Sequence, residues 1–206
     1  MKLLDNKIYL ASKSPRRREL LRQIGINFEI LLLRDSSSRP ADVSEIVLPN
    51  ELPSAYVKRV TKEKAESAWN MMVLRKLPLR PVLTADTTVV LNGTIYGKPV
   101  NRIEAHAMLS ALSGTTHQVL TSIAVHFHQH QWEATQTSEV TFATLSKKQI
   151  DQYCDTLEPY DKAGGYGIQG SAAQFISHIS GSYSGIMGLP LFETAQLLTE
   201  AGITLS

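Results

Sequence analysis

Two arginines stand where a helix should begin, in the run KIYLASKSPRRRELL at residues 7–21. Ser14 is a good N-cap and Pro15 suits the first helical position, where its missing N–H costs nothing, so the helix should start at Pro15. Arg16 and Arg17 then fall in its first turn, beside free backbone N–H groups and the positive end of the dipole, where acidic residues are favoured. A bound anion relieves that conflict: helix N-termini take phosphate, and arginine adds bidentate, charge-assisted bonds. With Ser12 and Ser14 flanking the turn, the segment reads as a seat for a polyphosphate; two solvated arginines on an exposed turn are the alternative. On this reading either arginine can be removed without loss of stability.

Two further concentrations of polar chemistry follow. In ADTTVV, residues 85–90, Asp86 and two hydroxyls interrupt an apolar strand pattern. A carboxylate among apolar neighbours needs a partner, which a metal, a substrate or an internal network could supply. Asp86 is therefore a candidate for holding a divalent cation or activating water, against a strand-edge aspartate bonded locally. Lys98, held extended before Pro99, could turn its ammonium back toward such a site. EPYDKAGGYGIQG, residues 158–170, contains the spacing Gly165-x-Gly167-x-x-Gly170, but no strand precedes it and no helical pattern follows, which excludes a Rossmann fingerprint. It also lacks the Lys-Ser/Thr of a P-loop. What remains is backbone that can approach a ligand closely, Gln169 able to donate to and accept from a base edge, and an Asp161–Lys162 ion pair to hold the loop. HFHQH puts His126, His128 and His130 on one face of a strand, a solvated hairpin in preference to a zinc site because no carboxylate shares the spacing.

The elements that must position these residues are legible in outline. Lys7 to Ala11 and Phe28 to Leu33 read as strands around the first helix, which Gly25 stops. Arg34 to Pro53, with three prolines and a serine run, is an exposed loop of a length that suggests a lid. From about Ser54 a long helix carries Lys58, Arg59, Lys62 and Lys64 between apolar positions. PVLTADTTVVL and TIYG flank Asn92-Gly93, the strongest short hairpin signal. Asn101 to Leu112 is an amphipathic helix; VLTSIAVHF and ATQTSEVTFATL alternate like paired antiparallel strands. Ser146 with Gln149 forms a capping box, a strand runs from about Gln174 to Ile179, and a last helix begins near Pro190. Strands and helices mixed without strict alternation imply an α/β fold: a mixed sheet flanked by helices, with a cleft between two lobes.

Composition narrows the partners. With 206 residues, 43% hydrophobic and 19% charged, the chain suits one domain over residues 1–206, or two lobes sharing a core. A net charge of +2 is too small for the basic surface of a nucleic-acid binder, so the anion site should be local. No apolar run has membrane-spanning length and no signal-peptide pattern opens the chain, so a cytoplasmic protein without membrane partners is expected; a homodimer is allowed. The single cysteine, Cys154, reads as structural.

Together, LASKSPRR, ADTTVV, GKP, EPYDKAGGYGIQG and SGSYSGIMGLPL resemble the Maf family of nucleoside triphosphate pyrophosphatases. The resemblance implies two lobes around a deep nucleotide-binding cleft, a divalent cation (Mg²⁺ or Mn²⁺), and hydrolysis of a nucleoside triphosphate to the monophosphate and pyrophosphate, a house-cleaning role with a link to septum formation. It implies that Ser12, Ser14, Arg16 and Arg17 hold the triphosphate, that Asp86 is the general base, that Lys64 and Lys98 are cleft lysines, and that Gln169 contacts the base or a metal-bound water. It also implies an acidic residue after the second strand, for which Glu45 is the match, a metal ligand with Asp86. Arg16, Thr87 and Gln169 match the subgroup acting on dTTP and UTP, where relatives acting on 7-methyl-GTP carry Trp, Gln and Glu. An enzyme for inosine or xanthosine triphosphates, or a non-catalytic nucleotide-binding regulator of division, are the competing readings.

Overall fold

A computed structural model describes residues 5–34 and 42–205, so the first part of the expected loop, residues 35–41, lies outside the described residues. Seven strands form one mixed sheet in the order β2-β1-β3-β5-β6-β7, with β4 paired to β3. β1 (Lys7–Leu10), β2 (Asn27–Ile30) and β3 (Val82–Leu91) are parallel; β5 (Thr116–Phe127), β6 (His130–Phe142) and β7 (Ile176–Ser180) continue antiparallel. β4 (Thr94–Tyr96) returns from β3 through Asn92 and Gly93, both at positive φ (51° and 78°), as a two-residue hairpin requires.

Local signals set the helix starts. Ser14 caps α1 (Pro15–Gln23), Asn101 caps α3 (Arg102–Leu112), and Ser146 with Gln149 closes a complete capping box on α4 (Lys147–Cys154). α2 (Pro53–Leu74) lies on one face of the sheet, burying Val57, Val60, Ala68 and Met72 against Tyr9, Val82, Val90 and Leu120. On the other face, α1 and α6 (Leu191–Glu200) cover Ile8, Leu10, Leu83 and Ile123. Further along that face, α3 and α4 cover Val89, Val119, Val140 and Phe142. Leu83 and Ala85 of β3 belong to the first of these two cores and Val89 to the second. The strand passes from one lobe to the other between them.

That passage is also a break in the pairing. β1 meets β3 only at Val82 and Leu83, and β4 meets the same edge only from Val89 to Leu91. Between them, residues 84–88 have a strand neighbour on the β5 side alone. Asp86 and Thr87, the two half-buried positions flanked by buried residues within β3, occupy this open edge.

The three histidines do not share a strand face. His126, next to last in β5, stacks on Trp69 at 5.0 Å, His128 sits in the turn at φ 57°, and His130 begins β6 beside Trp132. The turn separates them, and among the described residues no cluster of three or more His, Cys, Asp or Glu could hold a metal. Cys154 is free and buried, and burial pushes its thiol up, which fits a packing role.

Candidate active site

A cleft of about 670 Å³ opens at the unpaired edge of β3. Its walls come from the β1–α1 turn, the loop around Glu45, α2 at Lys64, β3, the glycine-rich loop and the Ile186–Gly188 segment. Successive strand residues point to opposite faces, yet both Asp86 and Thr87 line this cavity, because an open strand edge is accessible from either side.

On the α2 side lies an alternating charge array. Lys64 Nζ donates to Asp86 Oδ1 at 2.7 Å and lies 2.6 Å from Glu45 Oε1. Thr84, two residues before Asp86, donates to the Thr61 carbonyl at 3.0 Å, and that bond sets the register of α2 on β3 one turn before Lys64. The Lys64 and Asp86 side chains are 17% and 13% exposed, so the pair is largely desolvated. Burial pulls the Lys64 ammonium down, but Asp86 and Glu45 outweigh it and raise it above the ordinary lysine value. Burial pushes the Glu45 carboxyl up, but Lys64, Lys98 and Arg17 leave it below its ordinary value. Glu45 reaches the site although an insertion precedes it, because Asp42 accepts from Arg34 N at 2.7 Å and from Arg34 Nε at 2.9 Å, closing the base of the intervening loop.

On the other side the two arginines part company. Arg17 is tied into the protein: Nε donates to the Gly188 carbonyl (2.7 Å), Nη1 to the Ala85 carbonyl (2.8 Å) and Ser12 Oγ (3.2 Å), and Nη2 to Thr87 Oγ1 (3.2 Å). Burial lowers its pKa, against the charge of Asp86. Among the described residues Arg16 has only a 3.9 Å ion pair with Asp161, which leaves donors for a ligand. These contacts revise the expectation that both arginines are dispensable for stability: Arg17, unlike Arg16, bonds distant backbone. Thr87 is similarly committed. Thr121 donates to the Gly185 carbonyl (2.8 Å), so in the 3.0 Å pair between the hydroxyls Thr87 is the donor, and toward a ligand it can only accept.

Ser12 and Ser14 line the cleft at the start of α1, where Ser12 Oγ accepts from Ser14 N and Ser14 Oγ from Arg17 N. Lys98 lines it without an ion-pair partner among the described residues. Gln169 does not line the cavity: it is exposed, and the cavity wall stops at its neighbour Ile168. The glycine-rich loop instead offers Tyr166, whose hydroxyl meets buried His117 Nε2 at 2.7 Å, and is held as expected by Lys162, bonded to Asp161 (2.5 Å) and to the Glu158 carbonyl (2.6 Å). Tyr166 and Gly188 were not legible as site residues; the glycines of YGIQG and MGLP were the available signal.

Residues 7–201 match the family model described as Maf-like protein. The chain belongs to the Maf family. Among Maf relatives, the protein named dTTP/UTP pyrophosphatase from Nitrosomonas europaea is 54% identical over 97% of this chain and 96% of its own. Those of the same name from Nitrosospira multiformis (53% identical, 98% of each chain) and Aromatoleum aromaticum (52%, 100% of each) are similar throughout. Every site residue above, from Ser12 to Gly188, lies inside the Maf match. Among the described residues no helix is long and apolar enough to cross a membrane.

Proposed function

We propose that this Maf protein hydrolyses the anhydride between the α and β phosphates of dTTP and UTP, releasing the nucleoside monophosphate and pyrophosphate. The observation that carries the reading is the Glu45–Lys64–Asp86 array facing the N-terminus of α1 across one cleft, in a chain more than half identical to relatives bearing that name. Arg16, Lys98 and the open first turn of α1 take the triphosphate charge, which phosphoryl transfer requires to be neutralised. Arg17 holds Ser12, β3 and the Gly188 segment together around that seat. Asp86 Oδ1 is engaged by Lys64, and its other oxygen, without a hydrogen bond among the described residues, takes the proton of the attacking water.

A divalent cation fits the donor set. Asp86 and Glu45 present hard carboxylate oxygens on either side of Lys64, and Mg²⁺ is held by one or two carboxylates together with substrate phosphates and water. When bound, it supplies neutralising charge at the phosphate oxygens. The apolar end of the cleft, with Val89, Val119 and Ile186 beside Tyr166, takes the base. The test is pyrophosphate release from UTP, dTTP, CTP, ATP and GTP with Mg²⁺ or Mn²⁺. Release from UTP and dTTP is expected, and no release from any nucleotide overturns the reading.

A further inference from the structure

We propose that Arg59 is a positioning residue for Glu45: its guanidinium holds the loop before α2 in the one arrangement that brings the Glu45 carboxylate to Lys64. The inference rests on the reading of the cleft as a nucleotide hydrolase site. Residues 42–52 contain neither helix nor strand, and the Glu45 side chain is 49% exposed, so neither backbone pairing nor burial fixes it. Its position is set instead by three consecutive carbonyls, all accepting from α2. Arg59 Nη1 donates to Ser44 O (3.4 Å), Tyr56 OH to Glu45 O (3.1 Å) and Arg59 Nη2 to Ile46 O (3.0 Å).

The guanidinium is itself locked from the far end of the same loop. Glu51 takes it bidentately, with Oε1 accepting from Nε at 2.6 Å and Oε2 from Nη2 at 2.9 Å, and Oε2 also accepts from Leu48 N at 2.9 Å. Glu63, one turn along α2, adds a 3.3 Å contact. Both partners are largely enclosed, Arg59 at 22% and Glu51 at 8% side-chain exposure. One planar group thus ties the loop at 44–46 and at 51 to the helix that also carries Lys64. Lysine, a point charge without a planar fork, cannot make this set of bonds. None of Arg59, Tyr56 and Glu51 lines the cleft, so any effect on chemistry must pass through the loop.

The experiment compares Arg59→Lys and Arg59→Ala in the wild-type and Glu45→Gln backgrounds, reading kcat/KM for pyrophosphate release from UTP and backbone hydrogen exchange over residues 42–52. Residues in one network show coupling that distant residues lack. Both variants should lower kcat/KM by ~10-fold or more in the wild-type background and by less than about 2-fold in the Glu45→Gln background, with faster exchange at residues 44–48. Lysine should fail to rescue although the charge is retained. Equal losses in both backgrounds, rescue by lysine, or unchanged exchange each overturn the proposal. Should the Arg59 variants fail to fold, Tyr56→Phe, which removes only the bond to the Glu45 carbonyl, decides by the same coupling and exchange criteria. If the wild-type chain releases no pyrophosphate from any nucleotide, the activity reading falls, and exchange at 44–48 alone decides whether Arg59 holds the loop.

Discussion

Arg17 Nε donates to the carbonyl of Gly188 at 2.7 Å, joining the first helix to a segment 171 residues later. Gly188 adopts φ 107°, and a Cβ there would come within 3.5 Å of Arg17 Nε and 3.4 Å of Thr87 Oγ1. Those are ordinary van der Waals contacts, so glycine is required by the backbone conformation and not by lack of room.

Loss of the Arg17 clasp strips donors from the Ala85 and Gly188 carbonyls, so Arg17→Ala should destabilise the fold by about 1.5–3 kcal/mol. Gly188→Ala should cost roughly 1–3 kcal/mol through backbone strain. Arg16→Ala, at a half-exposed position, should stay within about 0.5 kcal/mol. Urea unfolding of the three variants checks the order; an Arg17→Ala protein as stable as wild type would contradict the clasp.

Asp86→Asn keeps the shape of the side chain and leaves Lys64 paired with Glu45, so the fold should survive. Turnover should fall by about 10²- to 10⁴-fold with loss of a general base. Steady-state pyrophosphate release at saturating UTP measures it, and a loss of only a few-fold would remove Asp86 from the mechanism.

His117 is buried among Phe142 and Tyr166, and burial pulls its pKa from 6.5 down to about 4. The unfolded chain therefore takes up a proton near pH 6.5 and the folded one only near 4. Stability contributed by the neutral ring is present above pH 6.5 and lost as pH falls to about 4, by on the order of 3 kcal/mol. His117→Gln should flatten that stretch of the curve in chemical denaturation between pH 4 and 8. An unchanged slope would place the titration elsewhere.

Base selection should favour pyrimidines that carry a ring N–H. The apolar end of the cleft beside Val89 and Val119 offers no partner to the additional polar edge atoms of a purine. UTP and dTTP should exceed ATP and GTP by at least ~100-fold in kcat/KM, while differing from one another by no more than one methyl group allows, about 1–3 kcal/mol. Comparable values for purines and pyrimidines, measured at one metal concentration, would reject this selectivity.

What the chain determines locally was legible in it. The Ser14–Pro15 start, the Ser146–Gln149 box and the Asn92-Gly93 hairpin each depend on residues a few positions apart, and all three formed where their chemistry placed them. Residue type likewise marked Asp86, Lys98 and the serine-flanked arginine turn as cleft chemistry, and the structure brings them to one cavity. Tertiary structure decided what depends on distant partners. Arg16 and Arg17 are neighbours in one turn, but only Arg17 lies within reach of the Ala85 and Gly188 carbonyls, so one is a tie and the other is open to a ligand. Gln169 falls outside the cavity because the chain turns away after Ile168. Glu45 falls inside because Arg34 and Asp42 close the insertion and α2 grips three successive carbonyls. Spacing along a chain constrains neighbours within a turn of helix or a pair of strands; hydrogen bonds between segments far apart in sequence form only once the sheet has assembled.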